Sequence, residues 1–410
     1  MERVILHVDI NNCYASIECL VHPELRGKAV AVGGSVEERN GIILAKNQLA
    51  KSFGVTTGEA LWQAKQKCPQ LVIVRPNFPL YVEFSRKARA IYEEYTKQVE
   101  SFGIDECWLD VTWLGRDGYE IADEIRCRIK DELGITVSVG VSFNKVFAKL
   151  GSDIKKPDAV TMITPENFRD VVWKLPASDM LFIGRKTYKK LENYGIHTIG
   201  ELAQTNVKLM KNWFGKCGMY MWQHANGIDD TPVSFSGENS IVKSVSNGTT
   251  TYRDIDCNSD AKILIYALAE SVGMRMREIG MRCRCISISI RDKDLFWITR
   301  QMTLSAETDD TVTIAKKAYE LFLKSYSFEN GGKPVRSLSV GASDLSGRDT
   351  PFQLDIFVSP EKLARQEKLN LCVDSIKKRF GYTSIRHGIV FENLCFSGVD
   401  MRFENEAGMT

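Results

Sequence analysis

The chain has 410 residues, a formal net charge of +2 and an apolar fraction of 44%, which predicts several domains rather than a single core. No run approaches the roughly 20 apolar residues that cross a bilayer, and the amino terminus enters a strand without a basic and apolar leader, so we expect neither a membrane protein nor a secreted one. The eleven cysteines lack paired spacing and the histidines number five, which predicts an intracellular chain with free thiols and without structural zinc.

The first predicted element is a buried strand that ends close to an acid. Residues 4–10 are apolar and mostly β-branched, apart from His7 and Asp9. A helix is expected to follow, with Asn11 or Asn12 as its amino-terminal cap.

The next elements alternate between helix and strand. In chain order they are helices at about 44–53 and 59–67, a strand at 71–74, a helix at about 80–99, an acidic hairpin at 101–111, a helix through 121–133 and a strand at 135–141. This order predicts a ferredoxin-like domain, with a small lobe inserted between its first strand and its first long helix.

Three acids stand at the ends of these predicted strands. Asp9 closes the first strand, and Asp105 and Glu106 form the tip of the hairpin. Carboxylates that converge at one sheet edge suit hard divalent cations such as Mg²⁺, and two such ions can assist a phosphoryl transfer. The alternative is that these acids are unrelated and solvated near turns.

The second half begins with short helices that glycines separate, between 176 and 232. Gly184 and Arg185 open one of them, and such a turn can offer backbone N–H groups to a phosphate. A plain helical hairpin is the alternative. Residues 234–240 are polar and are predicted to form a linker.

Beyond the linker, the pattern predicts a second α+β domain of ordinary size. Its predicted elements are strands at 241–252, 284–291, 296–304 and 335–342, and helices at 261–279 and 312–325. The stretch 275–300 contains seven basic residues against three acidic ones. A basic stripe of this kind can contact a nucleic-acid backbone, although a solvated surface would have the same composition.

Several motifs together resemble the Y-family of translesion DNA polymerases, the class that includes DNA polymerase IV. The matching segments, in order, are 8–18, 104–111, 138–149 with 155–157, and 183–185 with 195–202. The resemblance extends from residue 1 to about 345. Each motif alone is weak, but their order along the chain is specific.

The resemblance implies an α+β multidomain protein shaped as a right hand. Its predicted parts are a ferredoxin-like palm at 1–10 and 76–167, small fingers at 11–75, a helical thumb at 168–233, the linker at 234–240, an α+β little-finger domain at 241–345 and a carboxy-terminal tail at 346–410. The little finger is expected to bind DNA.

The resemblance also implies the site residues. Asp9, Asp105 and Glu106 would be catalytic and would hold two Mg²⁺ ions together with the main-chain carbonyl of Ile10. The residues expected to contact the nucleotide are Tyr14, Gln48, Lys51 and Lys156, with Tyr14 as a steric gate against ribonucleotides. The residues expected to contact DNA are Gly184, Arg185, Arg282 and Arg284.

Some positions depart from the family pattern. Gln48 and Lys51 stand where the family often has Tyr and Arg, and a lysine keeps the charge but loses the two-pronged geometry of arginine. Gly103 replaces a usual serine. None of these changes removes a predicted metal ligand.

The tail contains a segment that resembles the peptide by which bacterial polymerases bind the sliding clamp. Its predicted contact residues are Gln353, Leu354, Ile356 and Phe357, a glutamine with apolar anchors for a pocket on a partner. An edge strand or a packed tail is the alternative. A helix is predicted from about 360 to 380.

The expected function is translesion DNA synthesis on primer–template DNA with deoxynucleoside triphosphates, error-prone and without proofreading. We expect a monomer in the bacterial cytoplasm that joins the nucleoid when bound to DNA. The alternatives are a DNA- and clamp-binding scaffold without catalysis, which would be expected to lack a metal-binding acid, and a nucleotide cyclase, which would not need the thumb or the basic domain.

Overall fold

A computed structural model of the chain describes residues 2–35, 41–238, 241–329, 331–348, 350 and 359–392. The described residues divide into two compact units: the first comprises 2–33 and 43–238, and the second comprises 34, 35, 41, 42 and the described residues from 241 to 392. None of the described helices has the length and apolar character needed to cross a membrane.

The first unit contains eight described β-strands and eleven described α-helices. Its strands are β1 (Ile5–Ile10), β2 (Val30–Gly33), β3 (Ile43–Lys46), β4 (Val72–Val74), β5 (Val99–Ser101), β6 (Glu106–Asp110), β7 (Val137–Ser142) and β8 (Val160–Ile163). Its helices are α1 (Cys13–Val21), α2 (Gln48–Ser52), α3 (Leu61–Lys67), α4 (Phe78–Glu93), α5 (Gly118–Leu133), α6 (Lys145–Ile154), α7 (Phe168–Val172), α8 (Arg185–Glu192), α9 (Ile199–Gln204), α10 (Val207–Phe214) and α11 (Lys216–Ala225).

The main sheet of the first unit has the strand order β5-β6-β1-β7-β8, with β1 antiparallel to both of its neighbours. The first four of these strands, with α4 and α5, have the order and connections of the predicted ferredoxin-like domain. The strand β1 is buried along its whole length. It therefore lies at the centre of the sheet, covered on both faces.

The pleat of β1 divides its side chains between two environments. Leu6 and Val8 belong to the apolar core that includes residues of α4 and α5. Ile5 packs with Ala148 of α6 on the other face, and alternation places His7 and Asp9 on that face as well. Helix α6 is thus the element that covers the polar side chains of β1.

A smaller sheet of the first unit has the order β3-β2-β4, and β2 pairs in parallel with β4. It has its own small apolar core with α2 and α3.

The helices α7 to α11 share another core with part of α6. Gly195 ends the segment after α8 with a φ of +75°, a conformation that glycine adopts without strain.

Some predicted bounds were wrong. The predicted helix at 44–53 is a strand, β3, followed by the short helix α2, because the Asn47 side chain accepts a hydrogen bond from Ala50 N and starts the helix there. The predicted helix at 80–99 ends at Glu93, and Val99 pairs with Leu109 in the sheet. Asn12 precedes α1 in a left-handed conformation, and its side chain makes no capping hydrogen bond.

The second unit contains an antiparallel sheet covered by helices. Its elements are β9 (Ser244–Ile255), α12 (Asn258–Glu278), β10 (Met281–Asp292), β11 (Trp297–Thr308), α13 (Thr311–Ser325), β12 (Val335–Gly347) and α14 (Pro360–Phe380). The strand order is β11-β10-β12-β9. Alternate residues of these strands form one apolar core with α12 and α13, as the sequence predicted for an α+β domain.

Helix α14 packs on this unit through a polar face. Arg277 of α12 donates to both carboxylate oxygens of Asp374 at 2.5 and 2.8 Å, and Lys377 pairs with Glu270 at 3.0 Å between two almost fully buried side chains. In contrast, Leu369 and Phe380 of the same helix are more than half exposed. Among the side chains of α14 that the structure describes, Asp374 and Lys377 therefore hold the helix on this unit through ion pairs.

Candidate active site

The three predicted acids lie at one end of the main sheet. In the antiparallel register of β1 and β6, Asp9 lies opposite Glu106. The next residue, Ile10, donates its backbone N–H to the Asp105 carbonyl at 2.9 Å. Residues almost one hundred positions apart in the chain thus become immediate neighbours.

Two lysines neutralise these acids. Lys149 Nζ lies 2.9 Å from Glu106 Oε1 and 3.6 Å from Asp9 Oδ2, and Lys156 Nζ lies 2.9 Å from Asp9 Oδ2. Lys156 was predicted to belong to the site, whereas sequence reasoning missed Lys149. The available signal was a single lysine within the otherwise uncharged segment 146–152. The structure buries the other residues of that segment.

The pKa values of the three acids shift in different directions, because neighbouring charges offset the effect of burial to different extents. Burial raises the pKa of Asp9 to about 7, although the Lys156 charge acts in the opposite direction. Burial also opposes ionisation of Glu106, but the adjacent His7 ring and the Lys149 ammonium outweigh it and lower the pKa of Glu106 to about 2. Burial and the Glu106 charge raise the pKa of Asp105. Of the three acids, Glu106 is therefore the one that keeps its negative charge to the lowest pH.

His7 is a second residue that sequence reasoning did not assign to the site. Its Nδ1 lies 2.9 Å from Ser152 Oγ, and its Nε2 lies 3.5 Å from Glu106 Oε2. Burial lowers the pKa of His7. Neither His7 Nε2 nor Glu106 Oε2 has a hydrogen-bond partner, so one carboxylate oxygen of the site is buried without a hydrogen bond.

The donor set fits a hard divalent cation. It consists of carboxylate oxygens, one of them a buried oxygen on Glu106 without a hydrogen-bond partner, which is the ligand chemistry that Mg²⁺ and Mn²⁺ prefer. The three acids do not form a compact ligand group. Within the described part of the chain, the one group of three whose ligand atoms all lie within 4.8 Å is Asp256, Cys257 and Asp260 of the second unit.

Tyr14 belongs to a rigid aromatic platform beside the acids. Its ring is stacked on Tyr81 with 4.3 Å between centroids, and Phe78 contacts it edge-on at 5.8 Å. The Tyr81 hydroxyl donates to Glu18 at 2.6 Å, which holds the Tyr81 ring in place under Tyr14. Burial, followed by the charge of Asp105, raises the pKa of Tyr14 to about 12, so the tyrosine lies near the acid cluster.

The other predicted nucleotide contacts lie on α2. Gln48 and Lys51 are exposed on this short helix. Burial and the nearby Lys51 charge lower the pKa of Lys46, which indicates a second lysine close to Lys51 that sequence reasoning missed. At the acid cluster, a side chain added at Gly103 would begin 3.5 Å from Asp105 Oδ1, so the serine expected from the family pattern would fit here without a clash.

The predicted DNA contacts differ in their surroundings. Gly184 precedes α8, where no side chain caps the first turn, and Arg185 is exposed. Arg284 is exposed as well, whereas Arg282 lies 3.4 Å from Glu367 of α14. Within the basic stretch 275–300, Arg277 is buried and paired with Asp374 of α14, so this side chain adds nothing to an exposed basic surface.

The predicted clamp-binding residues Gln353, Leu354, Ile356 and Phe357 lie outside the described residues. The neighbouring described residues belong to the second unit, where Arg348 contacts Glu367 at 3.1 Å.

Comparison with known proteins agrees with the motif order. Residues 8–153 match the model of the impB/mucB/samB family, and residues 242–356 match the model of that family's C-terminal domain. The chain is 52% identical to the DNA polymerase IV of Acetivibrio thermocellus over 96% of this chain and 98% of that protein. It is 37% identical to DNA polymerase IV 2 of Bacillus subtilis over 94% and 93% of the two chains.

A solved structure shares the fold. A chimaeric Y-family DNA polymerase superposes with a TM-score of 0.73 at 22% sequence identity, covering 83% of this chain and 98% of that one. This likeness confirms the predicted α+β multidomain class of the right-hand polymerases.

Divalent cation binding is expected to tighten as the pH rises through about 7. Because burial raises the pKa of Asp9 to about 7, the carboxyl is protonated below that pH, and a proton must leave before a cation binds. Mn²⁺ titrations of the DNA-free protein at about pH 6 and about pH 8 would measure this, with Asp9→Asn as the variant in which the pH dependence is lost. A wild-type affinity that is equal at both pH values would contradict the prediction.

Proposed function

Because the chain belongs to the impB/mucB/samB family and is a Y-family DNA-directed DNA polymerase of the translesion class, we propose that it adds deoxynucleotides to a primer 3′ end by two-metal phosphoryl transfer. Asp9, Asp105 and Glu106, with the Ile10 carbonyl, would hold two Mg²⁺ ions. The observation that carries this proposal is the convergence of Asp9 and Glu106 on the Lys149 ammonium at the end of β1.

When bound, Mg²⁺ would neutralise the negative charge that develops as the primer 3′-hydroxyl attacks the α-phosphate. The protein would contribute the placement of the ions, because the pairing of β1 with β6 in one register holds Asp9 opposite Glu106. Lys156, already within 2.9 Å of Asp9, would contact the triphosphate, and Gln48 and Lys51 would do so from α2. Pyrophosphate would leave along this basic side.

The Tyr14 ring would act as the steric gate. Its stack on Tyr81 and its edge contact with Phe78 leave it little freedom to move aside. A rigid ring beneath the sugar would reject a 2′-hydroxyl by steric exclusion, because specificity can be built from a clash as well as from a contact.

Error-prone synthesis without proofreading is part of the proposal. The predicted DNA contacts at Gly184, Arg185, Arg282 and Arg284 suit phosphates, and phosphate contacts do not read base sequence. Such contacts would tolerate a distorted template.

The competing idea of a non-catalytic scaffold expects a lost metal-binding acid, but all three acids are present. We further propose that the protein acts as a monomer in the bacterial cytoplasm, at the nucleoid when it is bound to DNA.

Primer extension tests the proposed chemistry. Asp105→Asn and Glu106→Gln preserve side-chain shape but remove charge, and each is expected to lower the insertion rate by roughly two orders of magnitude or more. Asp131→Asn, an exposed acid of α5, is the matched control and should keep the wild-type rate. Full activity in either of the first two variants would exclude these acids from catalysis, and product formed from triphosphate without a primer would indicate a cyclase instead.

Ribonucleotide discrimination tests the gate. Tyr14→Ala is expected to raise the ratio of ribonucleotide to deoxynucleotide insertion at least about tenfold, which corresponds to a loss of ~1.4 kcal/mol of discrimination. Tyr14→Phe keeps the ring and should keep the wild-type ratio. The measurement is single-nucleotide insertion with matched ribo- and deoxynucleoside triphosphates, and an unchanged ratio in Tyr14→Ala would remove this residue from the role.

We also propose that Gln353, Leu354, Ile356 and Phe357 bind the sliding clamp. Replacing Ile356 and Phe357 with Ala should abolish clamp-stimulated extension, because two apolar anchors of such a peptide would be lost. Extension of a short primer without the clamp serves as the internal control and should be unchanged. Clamp stimulation of wild-type size in the double variant would place the contact elsewhere.

A further inference from the structure

Asp153 contacts both lysines that neutralise the acid cluster. It lies in the last turn of α6, and its side chain is 45% exposed, compared with 8% for Asp9. Its Oδ1 is 2.8 Å from Lys156 Nζ, and its Oδ2 is 3.4 Å from Lys149 Nζ. Each ammonium group therefore lies between an acid of the site and the same outer carboxylate.

We propose that Asp153 is a positioning residue for the polymerase reaction. When divalent cations bind the acid cluster, Asp153 holds the Lys149 and Lys156 ammonium groups beside the cations, where they meet the triphosphate. This inference rests on the proposed function, and it gives Asp153 and Lys149 a role that the motif comparison did not assign.

The electrostatic reason is competition for the same oxygen atoms. Lys156 and Lys149 lie 2.9 and 3.6 Å from Asp9 Oδ2, and Lys149 lies 2.9 Å from Glu106 Oε1. A divalent cation and an ammonium group compete for these oxygens, because like charges repel each other at such short distances. The lysines must therefore withdraw from the acids when cations bind.

Asp153 is placed to receive them. Within the described residues, it is the carboxylate outside the acid cluster that forms an ion pair with either lysine. It lies four residues after Lys149 on α6, on the same helix face, and three residues before Lys156. Both lysines can keep their contact with Asp153 while their long side chains move away from Asp9 and Glu106.

Loss of Asp153 should have two linked effects. The ammonium groups would remain on Asp9 and Glu106 and compete with the incoming cations, so cation binding would weaken. The lysines would also lose their placement for the triphosphate, so the KM for the nucleotide would rise. A simple loss of one negative charge predicts the opposite change in KM, because the site would become more positive toward an anionic triphosphate.

The test compares Asp153→Asn, Asp153→Glu and the control Asp131→Asn, an exposed acid of α5. Mn²⁺ titration of the DNA-free protein is expected to show a dissociation constant about three- to fivefold higher for Asp153→Asn, the size expected for partly exposed ion pairs. Single-nucleotide insertion at saturating Mn²⁺ should show a raised KM with a smaller change in kcat. Asp153→Glu should restore both values, and the control should match the wild type.

Unchanged Mn²⁺ binding in Asp153→Asn would overturn the proposal, and so would an unchanged or lowered KM. The titration needs neither primer nor nucleotide, so it separates this inference from the proposed function. If Asp105→Asn kept full extension activity while Asp153→Asn weakened Mn²⁺ binding, the proposed catalytic acids would be wrong and the role of Asp153 in cation binding would stand. A wild-type protein that bound no Mn²⁺ would overturn both.

Discussion

The pairing of β1 with β6 is the constraint on which the site depends. It places Asp9 opposite Glu106 and brings the Asp105 carbonyl to Ile10 N. Buried carboxylates so close together are unfavourable without positive charge. The ammonium of Lys149 satisfies that need by contacting two of the acids. The same negative charge that lysines balance in the free protein is the charge that divalent cations would balance during catalysis.

Helix α6 can supply this lysine only because it lies very close to the sheet. A Cβ atom at Gly140 of β7 would lie 1.9 Å from the Ala148 carbonyl oxygen and 2.5 Å from Ser152 N. Any larger residue at Gly140 would therefore push the helix outward. The helix also carries Ser152, which contacts His7 behind Glu106. A glycine inside a buried strand, unfavourable by propensity, is thus required by the position of Lys149.

The sequence was sufficient to predict the ferredoxin-like domain and to place Asp9 and Glu106 in one cluster, because strand patterns and family motifs are local signals. It was not sufficient for Lys149 or His7. Their roles depend on which face of α6 meets which face of β1, and that is settled by packing between distant segments. Local reasoning also failed around Asn47, because the apolar residues of 43–50 fit a helix or a strand equally well. The structure begins the helix at this point, where the Asn47 side chain accepts a hydrogen bond from Ala50 N.

The second unit shows why a count of basic residues overestimates a DNA-binding surface. Arg277 donates hydrogen bonds to Asp374 as well as to the Asp309 carbonyl, and Arg282 faces Glu367, so part of the basic stretch holds α14 in place. A buried ion pair adds little net stability, because the cost of desolvation offsets the attraction. Removing one partner is nevertheless strongly destabilising, because the other charge is left buried without compensation. These ion pairs therefore fix where α14 binds. The arginines that remain exposed, such as Arg284, are those with charge to offer to a phosphate backbone.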